Sequence, residues 1–359
     1  MKIAFDYSAF LLQKYGGVSR YFSKLANKLS VKHDSRIIAP IVINEYLDNS
    51  YKNNFHLLKL NKIPRYSSKI THKLNHIISS FYINRWNPDI LHKTFFNNHT
   101  YKKSSAKKIL NVWDLNHEIY SDLYNKSPDW RPKKIALDLA DHVICSSNKT
   151  MGDLVKYYNF DLKKASIVYQ GVDQIKNIKY NKEKNLLYVG SRLKYKNFDN
   201  LLKALSINKQ ILDDFTLICF GDEPINDSEK NLIKNLNLNE KKILFVTGND
   251  YKLHEYYLNA TALIYPSKNE GFGFPPLEAM SFGCPVITSN NSAILEATNL
   301  LSHSFDPNIP EDIVSKIEKI VYSKSTINFL IEHGLKRVKN LTWDNTASKI
   351  LKVYNQVLS

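Results

Sequence analysis

The chain has 359 residues, 43% hydrophobic and 23% charged, with a formal net charge of +16. That length exceeds one ordinary core and suits two domains. No apolar run approaches the ~20 residues that a membrane span needs. Cys145, Cys219 and Cys284 stand far apart, with no close Cys pair of zinc-ligand spacing. Buried free thiols in a reducing compartment are expected, and no metal site. The charge is uneven: residues 1–178 hold 28 Lys+Arg against 14 Asp+Glu, and residues 179–359 hold 22 against 20. An anionic partner is therefore expected for the first half, with a generally basic soluble surface as the plain alternative.

Taken in chain order, short β-rich runs alternate with longer helical patterns. The start, Met1-Lys2-Ile3-Ala4-Phe5-Asp6, reads as a strand with an early acid and not as a signal peptide, which predicts a cytoplasmic chain. Strands are predicted at 3–5, 36–42, 89–92, 108–112, 142–146 and 166–169, then at 186–190, 215–221, 243–247, 262–266 and 286–289. Helical patterns lie between them, for example at 18–29, 153–158, 199–205 and 253–260, with a last helix from Leu341 to Val357. This β-α alternation predicts an α/β protein with two doubly wound parallel sheets. Residues 171–185, rich in Asn and Lys, read as the linker.

One segment in the basic half, Arg65 to Tyr82, has apolar residues at 70, 74, 77, 78 and 81 with Lys69, His72 and Lys73 on other faces. The ordinary reading is an amphipathic helix packed on its own domain. The second reading is a helix that docks on an anionic membrane. Lys102-Lys103, Lys107-Lys108 and Lys133-Lys134 add to the positive field.

The densest chemistry lies in Glu270-Gly271-Phe272-Gly273-Phe274-Pro275-Pro276-Leu277-Glu278. The preceding run, Thr261 to Ser267, reads as a buried strand. Pro276 suits the first position of a helix, with Gly283 and Pro285 at its end. Glu270 is then expected in a loop at a strand's carboxyl end, and Glu278 in the first helical turn. Ligands of open α/β sheets bind at such strand ends. The glycines permit close backbone approach, the helix start favours an anion, and both carboxylates can accept from hydroxyl groups.

That run, with Tyr265-Pro266-Ser267 before it and Gly283-Cys284-Pro285-Val286-Ile287 after it, resembles the E-x7-E region of family 4 (group 1) retaining glycosyltransferases. The resemblance covers nearly the whole chain. It implies the GT-B fold, two Rossmann-like domains with an interdomain cleft that closes on substrate. The expected boundaries are 1–175 for an acceptor-binding domain, 176–340 for a nucleotide-sugar-binding domain, and 341–359 for a helix crossing back to the first. It also implies a nucleoside-diphosphate sugar donor, GDP- or UDP-linked, no other cofactor and no metal. The acceptor is expected to be an anionic lipid-linked or lipopolysaccharide-type glycan, at the cytoplasmic membrane surface and without nucleic acid.

Other motifs extend the resemblance. Gly190-Ser191-Arg192 ends a strand, and Tyr195-Lys196-Asn197-Phe198 opens the next helix. Arg192 and Lys196 are expected to hold the diphosphate. Gly16-Gly17 lies between the first strand and its helix, a loop type that approaches phosphates. Gly17 is expected to bind donor, with Gly16 and Arg20 near acceptor or phosphate. In Trp113-Asp114-Leu115-Asn116-His117-Glu118, Trp113 stands where relatives usually carry a histidine. Trp113 either stacks on a sugar or fills the core. Asp114 and His117 join Glu270 as expected catalytic residues, although His117 and His92 could equally be structural. Gly271, Phe272, Gly273, Phe274 and Glu278 complete the expected donor site. Glu296 reads as structural.

Two rival readings remain. A sugar-nucleotide epimerase or a phosphorylase would share the fold, and a non-catalytic anion or nucleic-acid binder would explain only the charge.

Overall fold

The computed structural model describes residues 1–47, 54–63, 67–97, 99–101, 104–121, 131–175, 182–192, 194–221 and 223–359. Arg65, Tyr66, Lys102, Lys103 and the middle of the expected linker lie outside the described residues. The described residues fall into two compact units. One lies within Met1–Glu118, Lys126–Gly171 and Trp343–Ser359, the other within Ile119–Asn125 and Val172–Thr342.

The first unit runs β1 (Lys2–Phe5), α1 (Gly17–Ser30), β2 (Asp34–Ile37), β3 (Ile41–Val42), β4 (Leu58–Lys59), α2 (Ser68–Trp86), β5 (Ile90–Lys93), β6 (Lys107–Val112), α3 (Asn116–Ile119), α4 (Arg131–Asp138), β7 (His142–Cys145), α5 (Asn148–Tyr158) and β8 (Ala165–Ile167). Its main sheet has the order β2-β1-β5-β6-β7-β8, and every pairing is parallel. Strands β5 and β7 are buried along their whole length, as expected of a parallel sheet covered on both faces. The single strand expected over 36–42 is two strands. Pro40 separates β2 from β3, and β3 pairs instead with β4.

The second unit runs β9 (Glu183–Val189), α6 (Phe198–Ile207), α7 (Gln210–Asp214), β10 (Thr216–Phe220), α8 (Asp227–Asn235), β11 (Ile243–Val246), α9 (Asp250–Asn259), β12 (Ala260–Tyr265), α10 (Phe274–Ser281), β13 (Val286–Thr288), α11 (Ser292–Thr298), α12 (Pro310–Val321) and α13 (Lys324–Val338). Its parallel sheet has the order β11-β10-β9-β12-β13. The strand order reverses between β1 and β5 in the first unit and between β9 and β12 in the second. At such switch points the carboxyl ends of an open sheet leave a crevice for ligands.

Helix α14 (Trp343–Leu358) belongs to the first unit, where it packs against α1. Tyr354 reaches the sheet there: its hydroxyl lies 2.6 Å from His92 Nδ1, and His92 Nε2 lies 2.8 Å from Asn111 Oδ1. Asn111 Oδ1 only accepts, so Nε2 carries the proton and Nδ1 accepts from Tyr354. Burial pushes the His92 pKa down to about 3, so the ring is neutral in this core.

Helix α2 turns four large apolar residues away from the protein. Ile70, Leu74, Ile77 and Phe81 are exposed, while Thr71, Asn75, Ser79 and Ile83 face inward. The expectation of an apolar face packed on its own domain is therefore overturned. The inward side is held by hydrogen bonds: Ile41 N–H donates to Asn75 Oδ1 at 2.8 Å, and Asn75 Nδ2 donates to the Ile41 carbonyl at 3.0 Å. Cys145, Cys219 and Cys284 are free and buried.

Candidate functional site

At the β9/β12 switch point, Lys196 and Glu270 meet. Lys196 follows β9 on a short helical turn that leads into α6, and Glu270 lies in the loop after β12. Lys196 Nζ donates to Glu270 Oε1 at 2.6 Å and to the Tyr265 hydroxyl at 3.2 Å. The same carboxylate oxygen accepts from the Tyr265 hydroxyl at 2.8 Å and from Ser267 Oγ at 2.6 Å. The Lys196 and Glu270 side chains are 15% and 11% exposed. Burial alone would lower the Lys196 pKa, but the facing Glu270, then Tyr265 and Tyr195, hold it well above the ordinary lysine value. Burial and the Glu270 charge likewise push the Tyr265 hydroxyl well up, so it stays a donor. The result is a fixed cation beside a fixed carboxylate at a strand end.

The loop after Glu270 is shaped by Gly273, at φ +92°, which caps α10. A Cβ there would meet Ile294 Cγ1 at 3.6 Å, an ordinary contact, so the backbone conformation and not space demands glycine. Phe272 is buried beside it. Helix α10 begins at Phe274, before Pro276, because Pro275 already suits the first turn. Glu278 is consequently the fifth residue and not in the first turn, where no acid lies. It is buried, 7% exposed, and its Oε2 accepts from the Tyr257 hydroxyl at 3.5 Å.

Arg192 does not join Lys196 in an open basic pair. Its Nε donates to Glu229 Oε1 at 2.7 Å, and one Nη donates to the Glu223 and Pro224 carbonyls at 2.9 and 2.8 Å. The guanidinium lies over the Phe245 ring at 4.9 Å, with only 2% of the side chain exposed. Glu229 is held by the start of α8, where its Oε2 accepts from Asn226 N–H at 2.9 Å within a capping box. Asp222 lies outside the described residues.

In the first unit, Gly16 caps α1 and Gly17 begins it. A Cβ at Gly17 would meet nothing within 4 Å, so this helix start faces open space. The loop is braced by buried Asn44, whose Nδ2 donates to Gln13 O, Lys14 O and Ser19 Oγ at 3.0, 3.2 and 2.7 Å. Arg20 is 9% exposed on α1. Trp113 is partly buried and packs edge-on to Tyr21 at 4.7 Å and to Phe22 at 5.9 Å between ring centres. Asp114 Oδ1 accepts from Asn116 N–H at 3.0 Å and so starts α3. His117 is exposed. Partial burial and Lys133 lower its pKa, against the pull of Asp114 and Glu118, which keeps it neutral at pH 7. Glu118 is buried and accepts from Lys133 Nζ at 2.8 Å and the Tyr158 hydroxyl at 2.6 Å. Glu296 sits on α11, and its carbonyl accepts from Arg337 at 2.8 Å.

Several groups have no role in the sequence reading. Tyr265 and Ser267 lie inside the quoted motif, and their spacing of five and three before Glu270 is the signal that places them on its carboxylate. The β1/β5 switch point holds another cluster. Buried Asp6 accepts from Thr94 Oγ1 at 2.6 Å, Thr94 N–H at 2.8 Å, Ser8 Oγ at 2.9 Å and Asn97 Nδ2 at 2.9 Å. Burial lowers Lys93 nearby to about 8, despite Asp6. His76 and His99 stack there at 4.2 Å. Only the early acid after β1 hints at this cluster in the sequence.

Comparison with known proteins gives the family. The model of glycosyl transferases group 1 matches residues 171–337, and that of glycosyltransferase family 4 matches residues 15–174. The chain belongs to the family 4, group 1 glycosyltransferases. It is 31% identical over 188 residues to the O-antigen chain mannosyltransferase RfbU of Salmonella typhimurium, covering 50% of this chain and 51% of that one. It is 25% identical to the N-acetylgalactosamine-N,N'-diacetylbacillosaminyl-diphospho-undecaprenol 4-alpha-N-acetylgalactosaminyltransferase of Campylobacter jejuni, covering 77% and 78%. The chain thus spans about half the length of the first of these relatives. Its fold matches the sucrose-phosphate synthase of Thermosynechococcus elongatus with a TM-score of 0.80 at 18% identity, covering 99% of each chain. The fold is GT-B, two Rossmann-like parallel-sheet domains.

Proposed function

We propose that the protein is a metal-independent, retaining hexosyltransferase. It moves a mannose-type or similar hexose from a GDP- or UDP-sugar to a lipid-linked or lipopolysaccharide-type glycan at the cytoplasmic face of the membrane. The observation that carries this reading is the Lys196–Glu270 pair at the β9/β12 switch point. Glu270 and the N–H groups of residues 271–274 position the donor sugar through its hydroxyls. Lys196 neutralises the charge that grows on the departing nucleoside diphosphate. Arg192 is the second cation, and phosphate oxygens replace the Glu223 and Pro224 carbonyls as its acceptors. Glu278 is assigned to ribose hydroxyls, and Gly17 at the open start of α1 to a phosphate of the donor. Gly16 and Arg20 are assigned to the acceptor side, and Asp114 and His117 to substrate hydroxyls.

The acceptor attacks the anomeric carbon from the face that the diphosphate leaves. The C–O bond to the diphosphate breaks as the bond to the acceptor oxygen forms. The acceptor proton passes to a departing phosphate oxygen, so no protein base is required. The anionic glycan acceptor is supported by the +14 excess of residues 1–178, from 28 basic against 14 acidic side chains. It is also supported by the acceptors in the names of the relatives.

A thermal-shift screen across sugar nucleotides, followed by transfer assays with Glu270→Ala, tests the proposal. A melting rise with one donor, loss of transfer in a folded variant and an unchanged anomeric configuration in the product are expected. Consumption of donor by folded Glu270→Ala at the wild-type rate refutes the assignment.

A further inference from the structure

Helix α2 is built the wrong way round for a helix that serves only its own core. At 3.6 residues per turn, Ile70, Leu74, Ile77 and Phe81 lie in one sector of about 60°. They are 61%, 45%, 54% and 68% exposed. The opposite side carries Thr71, Asn75 and Ser79, all buried. It is fastened by the paired Asn75–Ile41 hydrogen bonds and by Ser79 Oγ donating to the Ile38 carbonyl at 3.5 Å. Polar bonds along the helix, with Ile83, Tyr82 and Trp86 packed on the core at its carboxyl end, therefore hold it down, and the apolar stripe is left outside. Four large apolar side chains in one exposed stripe mark an interaction surface.

The charges around the stripe choose the partner. Lys69, Lys73 and Arg85 are exposed beside it, and residues 68–86 contain no Asp or Glu. A stripe made for a protein partner or a second copy needs no such one-sided rim, whereas an anionic bilayer surface matches both the apolar sector and the cations. The strand pair that Asn75 ties to this helix also carries exposed apolar residues. Ile41, which Asn75 clamps, pairs with Leu58 of β4, and Leu57 and Leu58 are 63% and 50% exposed.

We propose that α2, with Leu57 and Leu58 beside it, is the element by which this protein lies on an anionic lipid bilayer. The stripe enters the boundary between headgroups and acyl chains, and Lys69, Lys73 and Arg85 face anionic headgroups. This inference names the docking element and does not depend on which sugar is transferred.

The test is co-sedimentation of the full chain with vesicles of phosphatidylcholine alone or mixed with phosphatidylglycerol. The wild-type protein should bind the mixed vesicles, and raising salt from about 0.05 to 0.5 M should weaken binding several-fold. Ile77→Asp with Phe81→Asp should lower partitioning by about tenfold or more, and Lys69→Glu with Lys73→Glu should lower it similarly. Both pairs should keep the thermal shift with sugar nucleotide, so a failure of donor binding is read separately. A Phe81→Trp variant gives a measurement that does not depend on the charged variants folding. Its added emission should move to the blue and be quenched by brominated lipid. Absence of wild-type binding to anionic vesicles, or Trp emission unaffected by them, overturns the proposal. So does a dimer in solution that Phe81→Asp converts to monomer, which would assign the stripe to a second copy.

Discussion

Lys196→Met keeps a long side chain and removes the ammonium. Glu270 Oε1 then retains the Tyr265 and Ser267 hydroxyls but faces no positive charge, in a pair whose side chains are only 15% and 11% exposed. Removing one partner of a buried pair typically costs about 3–5 kcal/mol. With two neutral donors left in place, the lower end of that range, about 3 kcal/mol, is expected. For a unit of this size the melting temperature should fall by about 6–12 °C. Glu270→Gln added to Lys196→Met removes the stranded charge and should recover most of that loss. Differential scanning calorimetry of the wild type, both single variants and the double variant measures the coupling. The sign with pH follows from the raised pKa. Folded Lys196 holds its proton more tightly than an unfolded lysine, so the contribution is complete below pH about 10.4 and is lost as pH rises toward the folded value. A Lys196→Met protein melting within about 1 °C of wild type, or single-variant losses that simply add, would refute the reasoning.

Other outcomes follow from the same structure. Gly273→Ala should cost about 1–2 kcal/mol through its left-handed backbone, read by calorimetry, and should weaken donor binding because the loop after Glu270 must shift. His92→Gln should flatten the loss of stability between pH 6.5 and 4. The buried imidazole has its pKa lowered to about 3, so the unfolded chain binds the extra proton in that window and acid favours unfolding. Glu229→Ala removes both the acceptor in the α8 capping box and the partner of Arg192. A loss of about 2 kcal/mol or more is expected in chemical denaturation. Stripping divalent ions with a chelator should leave the rate of sugar transfer unchanged in a direct product assay.

Much of the site is legible in the sequence because strand ends and glycine turns are local. The run from Ala260 to Ser281 fixes a buried strand, a loop and a proline-started helix, and Glu270 falls in that loop as its neighbours require. The Lys196–Glu270 pair needs β9 beside β12, which the parallel order supplies but local spacing does not reveal. Arg192 shows the limit. Its place after β9 is readable, yet its direction is set by Glu229, 37 positions later, and by two backbone carbonyls. Glu278 moved into the second turn because Pro275 could begin the helix as readily as Pro276. Trp113 packs on Tyr21 and Phe22, which arrive from another helix and so are not legible beside it in the sequence. On α2 the apolar periodicity was visible. The face that it turns inward depends on Asn75 finding Ile41, a contact that periodicity does not encode.

The first unit is completed only by the last helix, since Tyr354 closes the hydrogen-bond chain through His92 to Asn111. Residues 343–359 leave the ribosome after every strand of the second unit has been made. During synthesis the second unit can therefore finish folding first, while the first waits with an uncovered flank where α1 will receive α14. A nascent chain halted before Trp343 should display that flank to chaperones, and residues 343–359 should bury it once they are made.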